Sequence, residues 1–183
     1  MAVRPIRADD KQRMLDAFER LSPQSRYRRF FAATPTLQPE QLRYLTEIDH
    51  HAHEALVGID PSTDAGLGVA RFIRSPDDPA VAEVAVAVVD DWQGRGLGTA
   101  LLQELAARAR EEGVERFSAQ VLAENKPMLE VLDALGHAKV VRRDHGVVEL
   151  VMDLPPDGLP ETLSHAVRSA ARGDLRLHAT PHP

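Results

Sequence analysis

The chain has 183 residues, 43% apolar and 27% charged, which fits one globular domain with a buried core and excludes a disordered polymer. With 28 Asp and Glu against 22 Lys and Arg the formal charge is -6, so nucleic acid and anionic membrane are not expected as partners, and any bound anion needs a local device. Cysteine is absent, which removes disulfides, thiolate metal sites and a cysteine acyl-enzyme; the start MAVRPIRADD has no apolar leader pattern, and a cytoplasmic location is expected.

VRPIR reads as a short strand, followed by a helix that Asp9 or Asp10 can cap and that carries Met14, Leu15, Phe18 and Leu21 on one side. SPQSRYRRFF is a second short helix with Ser22 as cap and Pro23 in its first turn, and TLQPEQLRYLTEI holds a third. EALVGID and GLGVARFIR flank the turn-rich PSTDA as a hairpin. After SPDDP, the strand VAEVAVAVV runs into alternate glycines at 94, 96 and 98, and Leu97, Leu101 and Leu105 mark an amphipathic helix that stops at Gly113. VERFSAQVL returns as a strand, so residues 81–122 have the order of two neighbouring parallel strands joined by a helix. AENKPMLEVLDALG is another helix, with Asn125 as cap and Gly136 past its end, and KVVRRDHGVVELVMDL closes as a hairpin about DHG. From residue 155 the composition changes: PPDGLP is a linker and ETLSHAVRSAAR a further short helix, which divides the chain into a domain at 1–154 and a tail at 155–183.

A helix N-terminus carries unpaired N–H groups and about half a positive charge, and glycines let a phosphate come close to them. Gly94-Arg95-Gly96-Leu97-Gly98 puts such a device directly after a strand. A P-loop needs Lys and then Ser or Thr after its last glycine, and here Thr99 follows Gly98 with no lysine; the glycine spacing also misses the dinucleotide fingerprint. The remaining pattern, Gln93-x-x-Gly96-x-Gly98, resembles the acetyl-CoA pyrophosphate signature of GNAT acetyltransferases. IRADDKQRMLDAFERLSPQSRYRRFF, LTEIDHHAHEALVGID, AEVAVAVVDDWQGRGLGTALL and ENKPMLEVLDALG are together similar to the catalytic domain of bacterial Pat-type protein lysine acetyltransferases. Such proteins often join this domain to a larger regulatory part; the domain here starts at residue 2, so none is expected.

The resemblance implies an α/β (α+β) GNAT fold, a mixed central sheet flanked by helices, with acetyl-CoA as co-substrate, no metal, and a protein bearing an acceptor lysine as partner. It also implies residue roles. Gln93, Gly94, Arg95, Gly96, Leu97, Gly98 and Thr99 would hold the pyrophosphate, the backbone of Val86, Ala87 and Val88 would pair with pantetheine and polarise the acetyl carbonyl, and Asn125 would bond the pantetheine arm or assist the amine. The family's usual tyrosine acid has Leu132 in its place, and His137 replaces the phenylalanine after the glycine.

An alkylammonium of pKa near 10.4 costs about 4.6 kcal/mol to neutralise at pH 7, so a base is useful. Glu83 is a carboxylate in an otherwise apolar strand, sharing a face with Ala85 and Ala87, where burial would raise its pKa toward a working range. The resemblance makes it the general base; the plainer alternative is a glutamate facing solvent. Glu54 is a reserve candidate for base or substrate anchor. HHAHE lacks the second histidine of a zincin, since Val57 stands there, leaving His51 and His53 as half of a metal site or as locally bonded side chains. RYRRFF reads as a contact for an anion or, more simply, as a basic helix face over packed Tyr27, Phe30 and Phe31. The implied activity is acetyl transfer to a primary amine, with a small-molecule acceptor or a weakly catalytic acetyl-CoA-sensing module as alternatives.

Overall fold

The computed structural model describes residues 1–154, and the expected linker and short helix at 155–183 lie outside them. In chain order the elements are β1 (Ala2–Pro5), α1 (Lys11–Glu19), α2 (Pro23–Phe30), α3 (Pro39–Thr46), β2 (His53–Ile59), β3 (Gly66–Arg74), β4 (Val81–Val88), α4 (Leu97–Glu111), β5 (Arg116–Leu122), α5 (Lys126–Gly136), β6 (Lys139–Asp144) and β7 (Val147–Asp153). The strands form one seven-stranded sheet in the order β1-β2-β3-β4-β5-β7-β6. Among the described residues only β4 and β5 pair in parallel, because α4 carries the chain back over the sheet between them. The other neighbours are antiparallel, and β6 turns into β7 through His145 and Gly146, both at positive φ.

The alternation of strand residues separates two layers of packing. Leu56 on β2, Ala70 and Phe72 on β3 and Val84 on β4 are buried against Leu97, Leu101, Leu102, Leu105 and Ala106 of α4. With few aromatics available, leucines fill this core, each contributing about 1.5–3 kcal/mol by leaving water. The opposite sheet face is covered by α1, α2 and α3, whose Phe18, Leu42 and Leu45 form a second cluster with Leu21 and Leu37. Thus the amphipathic pattern of α4 and the apolar side of α1 both find the sheet, from opposite sides.

Four local expectations are corrected. Asp10 stands before α1 but makes no capping bond, because it ends a short 3-10 turn and points inward. Both of its carboxylate oxygens accept from Arg4 at 2.7 Å, Arg7 N donates at 2.8 Å, and Arg13 adds a third cation. Burial pushes this carboxyl up, but these partners outweigh it and hold Asp10 below its usual pKa. Gly136 is the last residue of α5 instead of lying past it, and His137 takes the left-handed position with φ 52°. The glycine is needed for approach: a Cβ there would lie 2.3 Å from the carbonyl oxygen of Asp153 on β7. Asn125 occupies the cap position of α5 without a side-chain capping bond. Tyr27 is exposed and not packed beneath α2, whereas Phe30 joins the second cluster.

Candidate active site

β4 and β5 share only three rungs: Val81 with Arg116, Ala82 with Phe117 and Glu83 with Ser118. Beyond them, Val84 to Val88 stay paired with β3 but have no partner strand on the β5 side among the described residues. The backbone N–H and C=O of Val86 and the N–H of Val88 point away from β3 and are open to a ligand, whereas the ladder turns the backbone groups of Ala87 toward β3. Ala87 is thus corrected as a backbone partner, and the Val88 carbonyl is taken by Gln93. The side chains of Val86 and Val88 pack against the main core, while Ala87 faces the layer of α1 to α3.

The glycine turn stands at the end of this free edge. Gly94 and Gly96 have φ of 71° and 80°, a region that only glycine enters without strain. Gly98 lies inside the first turn of α4, and a Cβ there would meet only Val88 Cγ2, at 3.6 Å. The N–H groups from Gly94 to Thr99 find no acceptor among the described residues, and α4 has no side-chain cap. That leaves a row of donors and a helix dipole with nothing to neutralise them. Leu97 contributes only its backbone, since its side chain is in the core, and Thr99 is half-buried. Arg95 is exposed, its guanidinium carbon 5.2 Å from the centre of the Trp92 ring.

Gln93 and Asn125 are placed differently. The Gln93 amide donates to Val88 O at 3.0 Å and reaches Ser25 Oγ at 3.2 Å and Asp90 Oδ1 at 3.3 Å, so its side chain ties the turn to β4 and α2. Asn125 follows β5, and because β4 and β5 run parallel it lies at the same end of the sheet as the glycine turn. Leu132, where a tyrosine acid would stand, is buried in the core and brings no hydroxyl.

On the other side of the free edge a cleft of about 270 Å³ opens between β3, β4, α2 and α3. Glu83 and Ala85 share its floor, as their alternation requires, with Arg29, Tyr44, Arg71 and Ile73 around them. Glu83 is exposed, which corrects the expected burial: the cleft is open above it, and solvent reaches the carboxylate.

Arg71 was missed as a site residue, although an arginine inside the apolar run of GLGVARFIR is a signal; Arg29 comes from RYRRFF, which the sequence offers as an anion contact. Arg71 is 3% exposed, donating Nη2 to Leu45 O at 3.2 Å and bonding His53 Nε2 through Nη1 at 3.0 Å. Burial and the adjacent Arg29 charge push Arg71 down to about 9, leaving it a cation at neutral pH. Burial lowers Arg29 too, and Glu83 and Tyr44 push it back. Burial and the Arg71 charge push His53 down to about 4, so it is neutral and able to accept from Arg71.

The reserve candidate Glu54 is corrected as well. It lies on the α4 side of the sheet, 1% exposed, where Oε1 accepts from Ala55 N at 2.8 Å and meets His50 Nδ1 at 2.8 Å, and Oε2 accepts from Arg108 Nε at 3.2 Å. A carboxylate so enclosed anchors β2 to α4 and faces no acceptor. The histidines of HHAHE have separate partners: His50 takes Glu54, His51 takes Glu112 and His53 takes Arg71. Among the described residues no three metal-binding side chains gather, and no helix is long and apolar enough to cross a membrane.

Similarity to known proteins agrees with this architecture. The model of the acetyltransferase (GNAT) family matches residues 14–137. Acetyltransferase Pat of Mycolicibacterium smegmatis is 37% identical over 177 residues, which are 95% of this chain and 53% of that protein, so this chain spans about half the length of that relative. An acetyltransferase of Pseudomonas aeruginosa is 30% identical over 136 residues, 73% of each protein. The crystal structure of the GNAT domain of S. lividans PAT superposes with a TM-score of 0.76 at 36% identity, covering 83% of this chain and 89% of that one. With the uncapped glycine turn, the free edge of β4 and the order of the sheet, these matches lead to one conclusion: the chain belongs to the acetyltransferase (GNAT) family.

Proposed function

We propose that this protein is an acetyl-CoA-dependent N-acetyltransferase whose acceptor is a primary amine, most naturally a protein lysine side chain, with Glu83 as general base. The observation that carries the reading is the position of Glu83 on the last rung shared by β4 and β5, facing the open cleft, where the free edge begins. The N–H groups of Gly94 to Thr99 would receive the pyrophosphate and the edge from Val84 to Val88 the pantetheine arm, bringing the thioester toward Glu83. An N–H of that edge would polarise the thioester carbonyl as the amine attacks. Glu83 takes the ammonium proton directly or through water, the neutral amine attacks and the C–N bond forms. The second nitrogen proton passes to water, the C–S bond breaks, and the thiolate is protonated from solvent, since Leu132 offers no acid. The protein-lysine acceptor is supported by similarity to Pat and by the open cleft, whose rim residues Tyr44 and Ile73 are 57% and 36% exposed. A cytoplasmic place of action belongs to the same reading, and no metal has a role in it.

The test follows label from acetyl-CoA into the proteins and the small amines of a bacterial lysate, for the native protein and Glu83→Gln. Label on protein lysines that is lost in the variant supports the proposal. Label confined to small amines removes the protein acceptor; acetyl-CoA binding without transfer to either fraction replaces the enzyme with a sensing module.

A further inference from the structure

Arg29 and Arg71 lie beside one another at the floor of the cleft that Glu83 borders. The two Nη groups of Arg71 meet only neutral acceptors, His53 and Leu45 O, and its Nε is buried with no hydrogen-bond partner among the described residues. No Asp or Glu among the described residues forms an ion pair with Arg71, and Arg29 feels Glu83 and Tyr44 without a direct bond to either. A guanidinium drawn out of water with a donor left over, beside a second, half-buried one, is costly unless an anion completes the pair. The cleft in front of them is open and is floored by Ala85, whose small side chain leaves room.

The register gives the distance at which such an anion would stand from the reacting amine. Arg71 faces Ala85 across β3 and β4, and Glu83 is two residues from Ala85 on the same strand. Arg71 and Glu83 are thus diagonal neighbours on one sheet face, with backbones about 7–8 Å apart. An amine at Glu83 would put a group a few bonds away against the two arginines, whose planar forks match a carboxylate.

We propose that Arg29 and Arg71 form a subsite for a carboxylate that the acceptor carries a few bonds from its amine. The acceptor is then a lysine with an acidic neighbour in the same peptide, or a small amine with its own carboxylate. This rests on Glu83 being the base for an amine acceptor. Tyr44 and Gln41 supply polar groups at the border of the subsite, and Phe30 lies along its wall.

The experiment uses two matched pairs of acceptors with acetyl-CoA: short lysine peptides that differ in one Glu or Gln beside the lysine, and Nα-acetyl-lysine against its neutral amide. The native protein is expected to favour the acidic member of a pair by about tenfold in kcat/KM. Arg29→Gln should erase that preference and Arg29→Lys restore part of it, with thermal melts confirming the fold. Arg71→Gln is the less informative variant, because Arg71 also holds α3 through Leu45 O. A preference in the peptide pair identifies an acidic neighbour, and one in the small pair identifies a small acceptor. Calorimetry of the same ligands, with CoA present, reads the subsite without turnover. Equal affinity and equal rates within both pairs for the native protein would overturn the subsite. Preferential binding of the acidic ligands, lost in Arg29→Gln, with no transfer to any amine would keep the subsite and sink the transferase reading.

Discussion

Glu83 stands opposite Ser118 on the last rung that β4 shares with β5, so the carboxylate marks the place where one edge of β4 becomes free. If it is the base, Glu83→Gln removes proton acceptance while leaving a side chain of the same size on an exposed position. We expect kcat with a lysine acceptor to fall by about 10²–10⁴, with the KM for acetyl-CoA little changed. Steady-state kinetics check this, and a kcat within twofold of native would assign the proton to another group.

Gly98 separates ligand binding from stability. A methyl group there meets only Val88 Cγ2, at 3.6 Å, and alanine is the better helix former. Gly98→Ala is therefore expected to melt at the native temperature or slightly above it, by up to about 1 kcal/mol of stability. The same methyl crowds the N–H groups that would meet a pyrophosphate, so acetyl-CoA should bind at least about tenfold more weakly. Thermal melts and calorimetry on one preparation read both effects.

Gly136→Ala should act on the fold alone. Its Cβ would lie 2.3 Å from Asp153 O, and this backbone oxygen has no flexible side chain that could swing aside. Either α5 or the end of β7 must shift, which overpacking series put at about 1–3 kcal/mol. The denaturant midpoint should fall with the m-value unchanged.

The Glu54 and Arg108 pair ties β2 to α4, with the carboxylate 1% exposed and the arginine about one-third exposed. Glu54→Gln keeps the shape but leaves buried donors mismatched, and a loss of about 1–3 kcal/mol is expected. A double-mutant cycle with Arg108→Gln should show non-additive losses. Additive losses would mean that the two side chains stabilise the protein independently.

His53 gives stability a defined pH window. It is pushed to about 4 in the folded protein, first by burial and then by the Arg71 charge, against Asp49 and Glu54, which favour its protonation. An unfolded histidine titrates near pH 6.5, so between these values the unfolded chain binds more protons and stability rises with pH. The contribution is complete above about pH 6.5 and is lost as pH falls toward 4. His53→Asn, which keeps an acceptor for Arg71, should flatten the stability curve over that interval in urea titrations followed by circular dichroism.

Much of the fold was legible because local rules and burial agree along most of the chain. Ser22 caps α2 through Ser25 N, the α4 leucines fall on one buried side, and Gly113 ends that segment with φ 80°. The exceptions have a common cause. Asp10, Asn125 and Gly136 were assigned by what each residue type does at a helix end, but Asp10 is drawn inward by Arg4 and Arg13, and Gly136 is set by the approach of β7. Glu83 was expected to be buried because its neighbours in sequence are apolar; its neighbours in space are Arg29, Tyr44 and open solvent.

What the sequence by itself determined were the properties encoded within a few residues: the strand, glycine turn and helix after residue 81, the face shared by Glu83 and Ala85, and the absence of a tyrosine at Leu132. The tertiary structure decided what depends on pairing between distant segments. The three-rung limit between β4 and β5 opens the edge, and the stacking of α2 and α3 on the sheet brings Arg29 from residue 29 and Arg71 from β3 into one cleft. Side-chain periodicity reports which face a residue occupies, but charges meet across a fold only when register and packing place those faces together.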